Sequence, residues 1–341
     1  MAAFESVDPL HHGSRRTRRK LLHAVFCGLA MGAAGALRAQ SARKVWRIGF
    51  LASDSSTNRV HEGFRQGMRE LGLVDGRDFV VEWRFADGNY ERLPGLAKEL
   101  VSRDVDVIVA ATTLSVQAAR QATVTTPIVM VAVPDPVGEG FATRLSRPGK
   151  NITGLSNLVT EVSVKHVELM HAAVPRLSRM AVLINPLNPS DALILEQVEG
   201  AAYNRRLKVA TFEASTAGQI DAAFAAMAQA KVEALIVAAD AYFDVQRDRI
   251  VQLALRNRLP TMSSSREMTE AGGLMSYGQD LAEHYRRAAT YVDKIMKGAN
   301  PGALPVEQPT VLEFIVNLKT AAAIGLSMPR EVVLRADRMI E

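Results

Sequence analysis

The feature that most constrains this chain is a set of short, almost wholly apolar runs, each followed by a stretch with helical spacing. Residues 105–111 (VDVIVAA), 127–133 (PIVMVAV), 180–185 (MAVLIN) and 234–239 (ALIVAA) are the clearest. A strand that is apolar on both faces must be covered on both, which points to a parallel sheet flanked by helices. Around these runs the pattern fills in. Residues 45–52 read as a buried strand, and residues 58–72 as a helix with Val60, Phe64, Met68 and Leu71 on one stripe. Phe79–Phe85 alternates as an outer strand would. Residues 90–103 read as a helix with Pro94 near its first turn, and residues 114–122 as another helix between two buried strands.

The pattern then restarts. Residues 162–173, 189–206, 218–230 and 245–258 read as helices, set among strands at 180–185, 207–212, 234–239 and 260–263. A strand-like piece at 272–278, a long helix at 281–297, a strand at 310–316 and a helix at 318–324 exceed what a second unit needs. The expectation is an α/β protein of two lobes with parallel sheets. They are joined by three crossings, near 155–160, 275–280 and 310–320. Residues 40–157 with about 279–310 would form the N-terminal lobe, and 158–278 with about 311–341 the C-terminal lobe. Such a topology suits opening and closing about a ligand.

The first 39 residues read differently. Twin arginines, Arg18 and Arg19, stand just before an apolar run from Leu21 to Leu37 that carries only His23 and no formal charge. The run ends at Leu37-Arg38-Ala39-Gln40, a small-residue cleavage signal. A basic arm, a short apolar core and a small residue before the cut make an export signal, with the arginine pair pointing to the twin-arginine route. The core is short for a membrane span. An exported protein is expected in the periplasm, away from ATP, NADH and nucleic acid. The segment holds six basic and two acidic residues, so only about +1 of the formal +5 belongs to the remainder. The basic balance therefore argues for no nucleic-acid or membrane partner. The single cysteine, Cys27, lies inside the export core behind Phe26, so disulfides, thiolate nucleophiles and thiolate metal sites are not expected beyond it.

In open parallel sheets ligands sit beyond the carboxyl ends of strands. That rule selects Ser53 and Asp54, then Thr112, Thr113 and Ser115, then Asp135, Asn185, Asp240 with Tyr242, and Tyr277. Thr112, Thr113 and Ser115 stand where a strand turns into a helix, so unpaired N–H groups and hydroxyls favour an anion there; one of the two threonines should also cap the helix. Asp135 lies between Pro134 and Pro136, which hold its carboxylate in place to meet a cationic group or to close its own turn. Asp240 repeats that placement in the second unit, where it could instead cap the next helix. Tyr242 and Tyr277 could form a flat apolar wall. His61, His166, His171 and His284 all fall in expected helices and read as solvated surface. Enzyme signatures are lacking: there is no G-x-S-x-G, no H-E-x-x-H and no Walker loop. No catalytic residue, metal or cofactor is expected.

Several segments carry a resemblance that runs over residues 44–341. They include Arg47-Ile48-Gly49-Phe50-Leu51, Phe64-Arg65-Gln66-Gly67, Asp135-Pro136-Val137-Gly138, Asn151-Ile152-Thr153-Gly154-Leu155, the run Gly272 to Gly278 (GGLMSYG), and Leu304-Pro305-Val306-Glu307-Gln308-Pro309-Thr310. In this order and spacing the chain resembles the substrate-binding proteins of ABC transporters described as tryptophan/tyrosine-transport-like. The resemblance implies a type I periplasmic-binding fold of two Rossmann-like lobes, a small amino-acid-like ligand in the interlobe cleft and an inner-membrane ABC permease as partner; a monomer is expected. Residues 261–265 (TMSSS) depart from the more aromatic or glycine-containing stretch of that family. The rival readings are an exported α/β enzyme and a ligand-sensing protein using the same cleft. The enzyme would need a His or Lys partner facing Asp135 or Asp240, and the sequence offers none.

Overall fold

The computed structural model describes residues 44–55, 59–308 and 310–341. The expected export segment lies outside them. From Val45 onward the chain forms one compact unit containing two sheets.

The first sheet has five parallel strands: β1 (Trp46–Ala52), β2 (Phe79–Phe85), β3 (Val107–Ala110), β4 (Ile128–Val133) and β5 (Ile152–Ser156), in the order β2-β1-β3-β4-β5. Its strands alternate in which core they serve, as the two-residue side-chain period requires. Ile48, Phe50, Val107, Val109, Val129 and Val131 face helix α1 (Arg59–Glu70), while Leu51, Ile108, Ala110, Ile128 and Met130 face α2 (Leu93–Ser102) and α3 (Thr113–Ala122). Both sets are buried, which is why the strands read as unbroken apolar runs.

The second sheet has seven strands. In chain order, α4 (Val159–Ala173), β6 (Arg179–Ile184), α5 (Asp191–Tyr203), β7 (Lys208–Glu213), α6 (Ala217–Gln229), β8 (Ala234–Val237), α7 (Ala241–Val245), α8 (Arg247–Arg256), β9 (Thr261–Ser263), α9 (Arg266–Glu270) and β10 (Met275–Gly278) build most of it. After β10 the chain leaves this sheet. Helix α10 (Leu281–Met296) packs along α1 beside the first sheet, putting Tyr285, Ala288, Ala289 and Val292 into the core of Phe50 and Phe64. The chain then returns as β11 (Glu313–Asn317), antiparallel to β10, and finishes with α11 (Leu318–Ile324), α12 (Arg330–Val333) and β12 (Arg338–Ile340). The sheet order is β12-β11-β10-β9-β8-β6-β7.

The structure adds a strand that the sequence reading did not place and corrects the setting of the histidines. Residues 152–156 pair with β4 as a strand, although Gly154 interrupts them in sequence. Gly154 has φ +132°, and a Cβ there would stand 2.0 Å from the carbonyl oxygen of Met130, so the close strand approach requires glycine. The helix expected over 245–258 is α8, and the short helix α7, which the sequence reading did not place, precedes it across Gln246. His61, His166 and His284 are buried, and His171 is exposed. Each buried ring has a fixed setting. His166 donates from Nε2 to the carbonyl of Tyr277 (2.7 Å), and His284 Nδ1 meets the carbonyl of Val131 (3.2 Å). Burial pushes His166 down to about 4, so it is neutral and holds α4 to β10 without charge.

Candidate functional site

The carboxyl ends of β1, β3, β4 and β8 converge on one cavity, which the segments after β5, β9 and β10 also line. Of the residues selected from sequence, Ser53, Asp54, Thr112, Thr113 and Asp240 line it directly. The remaining five do not.

Three hydroxyls knit the edge of the first sheet. Ser53 Oγ lies 2.7 Å from Thr112 Oγ1 and 3.0 Å from Ser115 Oγ, and the latter pair are 3.1 Å apart. Thr112 caps α3, its Oγ1 accepting from the Ser115 amide. Ser115 is fully buried and supports this cluster from behind the cavity. Thr113 differs: it is only 3% exposed, it lines the cavity, and its Oγ1 has no hydrogen-bond partner among the described residues. Together with the open amides of the first helical turn, it forms a donor-rich place for an anion.

Asp54 follows Ser53 at the end of β1, half-buried, with Oδ1 3.4 Å from His61 Nε2. His61 sits in an aromatic box, its ring centroid 5.1–5.7 Å from those of Phe50, Trp83, Phe85 and Tyr285. That box leaves the imidazole one orientation, toward the Asp54 carboxylate.

On the opposite wall, Asp240 caps α7 with Oδ1, accepting from the amides of Tyr242 (3.0 Å) and Phe243 (3.3 Å) and from Asn185 Nδ2 (3.1 Å). Its Oδ2 accepts from the Tyr90 hydroxyl at 2.7 Å, and Tyr90 in turn accepts from the Tyr242 amide at 3.1 Å. Tyr90 stands in a 3-10 turn (Tyr90–Arg92) beyond β2, so this phenol links the two sides of the cleft. Asn185 lies behind Asp240, with its amide donating to Asp191 Oδ2 (2.6 Å); its role is to hold Asp240. Burial, with the charge of Asp240, pushes Asp191 up to about 8.

The other candidates lie elsewhere. Asp135 is exposed, and its Oδ1 accepts from the Gly138 amide at 2.8 Å, closing its own turn. The prolines do fix this carboxylate, but onto its own loop. Tyr242 packs over Gly88 and beside Phe243, outside the lining. Tyr277 packs against Phe314. The sequence reading missed Tyr90, Asp244, Glu267 and Asn157, all of which line the cavity. Asp244 and Glu267 lie in five-residue helices, too short to show a period. Among the described residues no group of three or more His, Cys, Asp or Glu is placed to hold a metal ion. Nor is any helix there long and apolar enough to cross a membrane.

Asp244 carries a testable consequence. Burial, with the nearby charges of Glu267, Asp54 and Asp240, pushes it from 3.8 up to about 7. The unfolded chain releases this proton near 3.8 while the folded chain keeps it to about 7. Between those values the unfolded state binds fewer protons, so this group removes stability as pH rises through that window. Asp191 acts in the same direction. Asp244→Asn should therefore match the parent melting temperature near pH 4 and exceed it at pH 8, by roughly 3–6 °C. Thermal denaturation of both proteins across pH 4–8 checks this; a difference that does not grow with pH refutes it.

Two α/β lobes with a lined cavity at the carboxyl ends of their strands define a type I periplasmic-binding receptor for a small molecule. The family model of ABC transporter substrate binding proteins matches residues 47–340, and the chain belongs to that family. Members act outside the cytoplasm and present a small-molecule ligand to a membrane permease. A tyrosine-binding protein of Clostridioides difficile strain R20291 is 25% identical over 279 residues, which cover 82% of this chain and 80% of that protein. The crystal structure of a conserved domain protein from Vibrio cholerae O1 biovar El Tor strain N16961 matches with a TM-score of 0.82 at 26% identity, covering 87% of this chain and 100% of that one. An ABC domain from Streptococcus pneumoniae in complex with L-Trp matches with a TM-score of 0.80 at 25% identity, with the same coverage of both chains.

Proposed function

We propose that this protein, once exported and cut after Ala39, is a periplasmic receptor that captures an amino-acid-like ligand between its lobes. It works as a monomer, binds no nucleic acid, and releases the ligand chemically unchanged. The observation that carries the reading is the polarity of the cavity. The start of α3, with Thr112 and Thr113, offers donors to a carboxylate. Asp54, one residue beyond Ser53 on the adjoining strand, offers an acceptor to an ammonium. Val159, Val162, Phe243, Met268 and Tyr285 supply apolar wall for a side chain. The relatives that bind tyrosine and L-Trp support the same ligand class.

The lobes divide at residues 40–157 with about 279–310, and 158–278 with about 311–341. The chain crosses between them near Asn157, Tyr277 and Val316. The ligand favours the closed form by touching both lobes at once. In that form Tyr90 and Asp240 meet across the cleft.

Native mass spectrometry of protein isolated from the periplasm tests the reading. The expected result is a chain beginning at Gln40 with a co-purifying small molecule that carries both an amine and a carboxylate. An intact Met1, or a bound molecule with neither group, would count against it.

A further inference from the structure

The cavity holds more carboxyl groups than a simple zwitterion can use. Four carboxylates line it: Asp54 after β1, Asp240 after β8, Asp244 in α7 and Glu267 in α9. One guanidinium, Arg247 of α8, lines it too. Arg247 does not neutralise them: its Nη1 donates to the backbone carbonyl of Asp244 at 2.8 Å, and no ion pair joins it to a carboxylate among the described residues. Glu267 lies 3.8 Å from Arg59 Nε, but both terminal nitrogens of Arg59 are taken by Asp280, at 3.0–3.1 Å. Asp240 is engaged by Tyr90, Asn185 and two backbone amides. Asp244 has no ion pair among the described residues.

The anionic end of a ligand has its own place. Thr113, nearly fully buried, presents an unpartnered hydroxyl at the start of α3. The Ser53–Thr112 contact of 2.7 Å ties that place to the strand end bearing Asp54, so a carboxylate at α3 sets an α-ammonium beside Asp54. This leaves Asp244 with no ion pair among the described residues and Glu267 with only the long 3.8 Å contact to Arg59.

We propose that the cleft selects a ligand with a second cationic nitrogen, received by Asp244 and Glu267: a basic amino acid or a close analogue. The inference rests on the amino-acid reading above and adds the charge class of the side chain. The groups around Asp244 agree with it. Asp54 after β1, Asp240 at the start of α7, Ser265 capping α9 and Glu267 within it, Arg247 from α8 and Tyr285 from α10 surround the site, and Arg59 of α1 stands behind Glu267. Burial first, and then the charges of Glu267, Asp54 and Asp240, push Asp244 up to about 7. An arriving cation takes the place of that proton, so affinity for a cationic side chain rises with pH. A neutral side chain gains nothing from this.

Calorimetric titration of the ligand-free protein with L-lysine, L-arginine, L-tyrosine, L-tryptophan and putrescine, at pH 6 and pH 8, tests the proposal. A charge-assisted contact in a desolvated cleft should favour lysine or arginine over the aromatic amino acids by about ten-fold or more. That preference should grow several-fold from pH 6 to pH 8. Asp244→Asn, which keeps the shape, should remove most of it while leaving weak binding of neutral amino acids. Tighter binding of tyrosine or tryptophan, or a basic preference intact in Asp244→Asn, overturns the inference and leaves the amino-acid reading standing. Binding of putrescine alone supports the cation-selective cleft and removes the amino-acid reading. If none of the five binds at millimolar concentration, both fall.

Discussion

Asp54→Ala should weaken binding of the co-purified ligand by about 30-fold or more, and leave the melting temperature of the empty protein nearly unchanged. Removing one partner of a charge pair in a desolvated site costs about 2–5 kcal/mol, and each 1.4 kcal/mol is about ten-fold in affinity. Asp54 is held for this task. It stands at the end of a strand buried on both faces, and His61, fixed by its aromatic box, lies 3.4 Å away. The fold loses little with the carboxylate, because Asp54 lies near Asp240, Asp244 and Glu267 in a site already crowded with negative charge. Asp135→Ala is the matching control: it removes the same charge from an exposed turn, and affinity should not change. Titration of both variants decides between the two carboxylates. Loss in Asp135→Ala with full affinity in Asp54→Ala would move the cation site to the 134–136 loop.

Gly67→Val should have the largest effect on the fold itself. Helices α1 and α10 lie so close that a Cβ on Gly67 would stand 2.3 Å from the carbonyl oxygen of Arg286, and one on Gly63 would stand 2.2 Å from that of Ala282. Both obstacles are backbone, so no rotamer change relieves them. The helices would have to separate, opening the core in which Phe64 and Met68 meet Tyr285, Ala288 and Ala289. Overpacking of this kind costs about 3 kcal/mol or more, which is roughly 6–12 °C of melting temperature for a domain of this class. Gly200→Ala, in α5 with nothing within 4 Å of the added Cβ, should be neutral or stabilising by about 0.5–1 kcal/mol. Parallel thermal melts compare them. A Gly67→Val protein as stable as its parent would mean that α10 does not pack on α1, and that the chain does not return to the first lobe after β10.

What could be read from the sequence, and what could not, follows from the physics of each element. The central strands were legible because burial on both faces writes an unbroken apolar run, as in Ile128–Val133. The hydroxyl cluster at Thr112–Ser115 was legible because a strand end followed directly by a helix fixes where donors gather. Tyr90 was not, because its partner Asp240 lies 150 positions away and meets it only when the two sides of the cleft come together. Asp135 misled because rigidity says that a carboxylate is held, not what holds it. The buried histidines misled for a related reason. His61 lies one position off the stripe of Val60, Phe64 and Met68, on a helix covered from two sides. Gly63 and Gly67 were the signal of that second cover.

The most direct test of the account is a crystal structure of the protein isolated with its own ligand. Density is expected between the lobes for a molecule whose carboxylate meets Thr112, Thr113 and the first amides of α3, and whose amine meets Asp54. Tyr90 should lie within hydrogen-bond distance of Asp240 as the cleft closes over it. A ligand seated outside this cavity, or one turned with its amine toward α3, would contradict it.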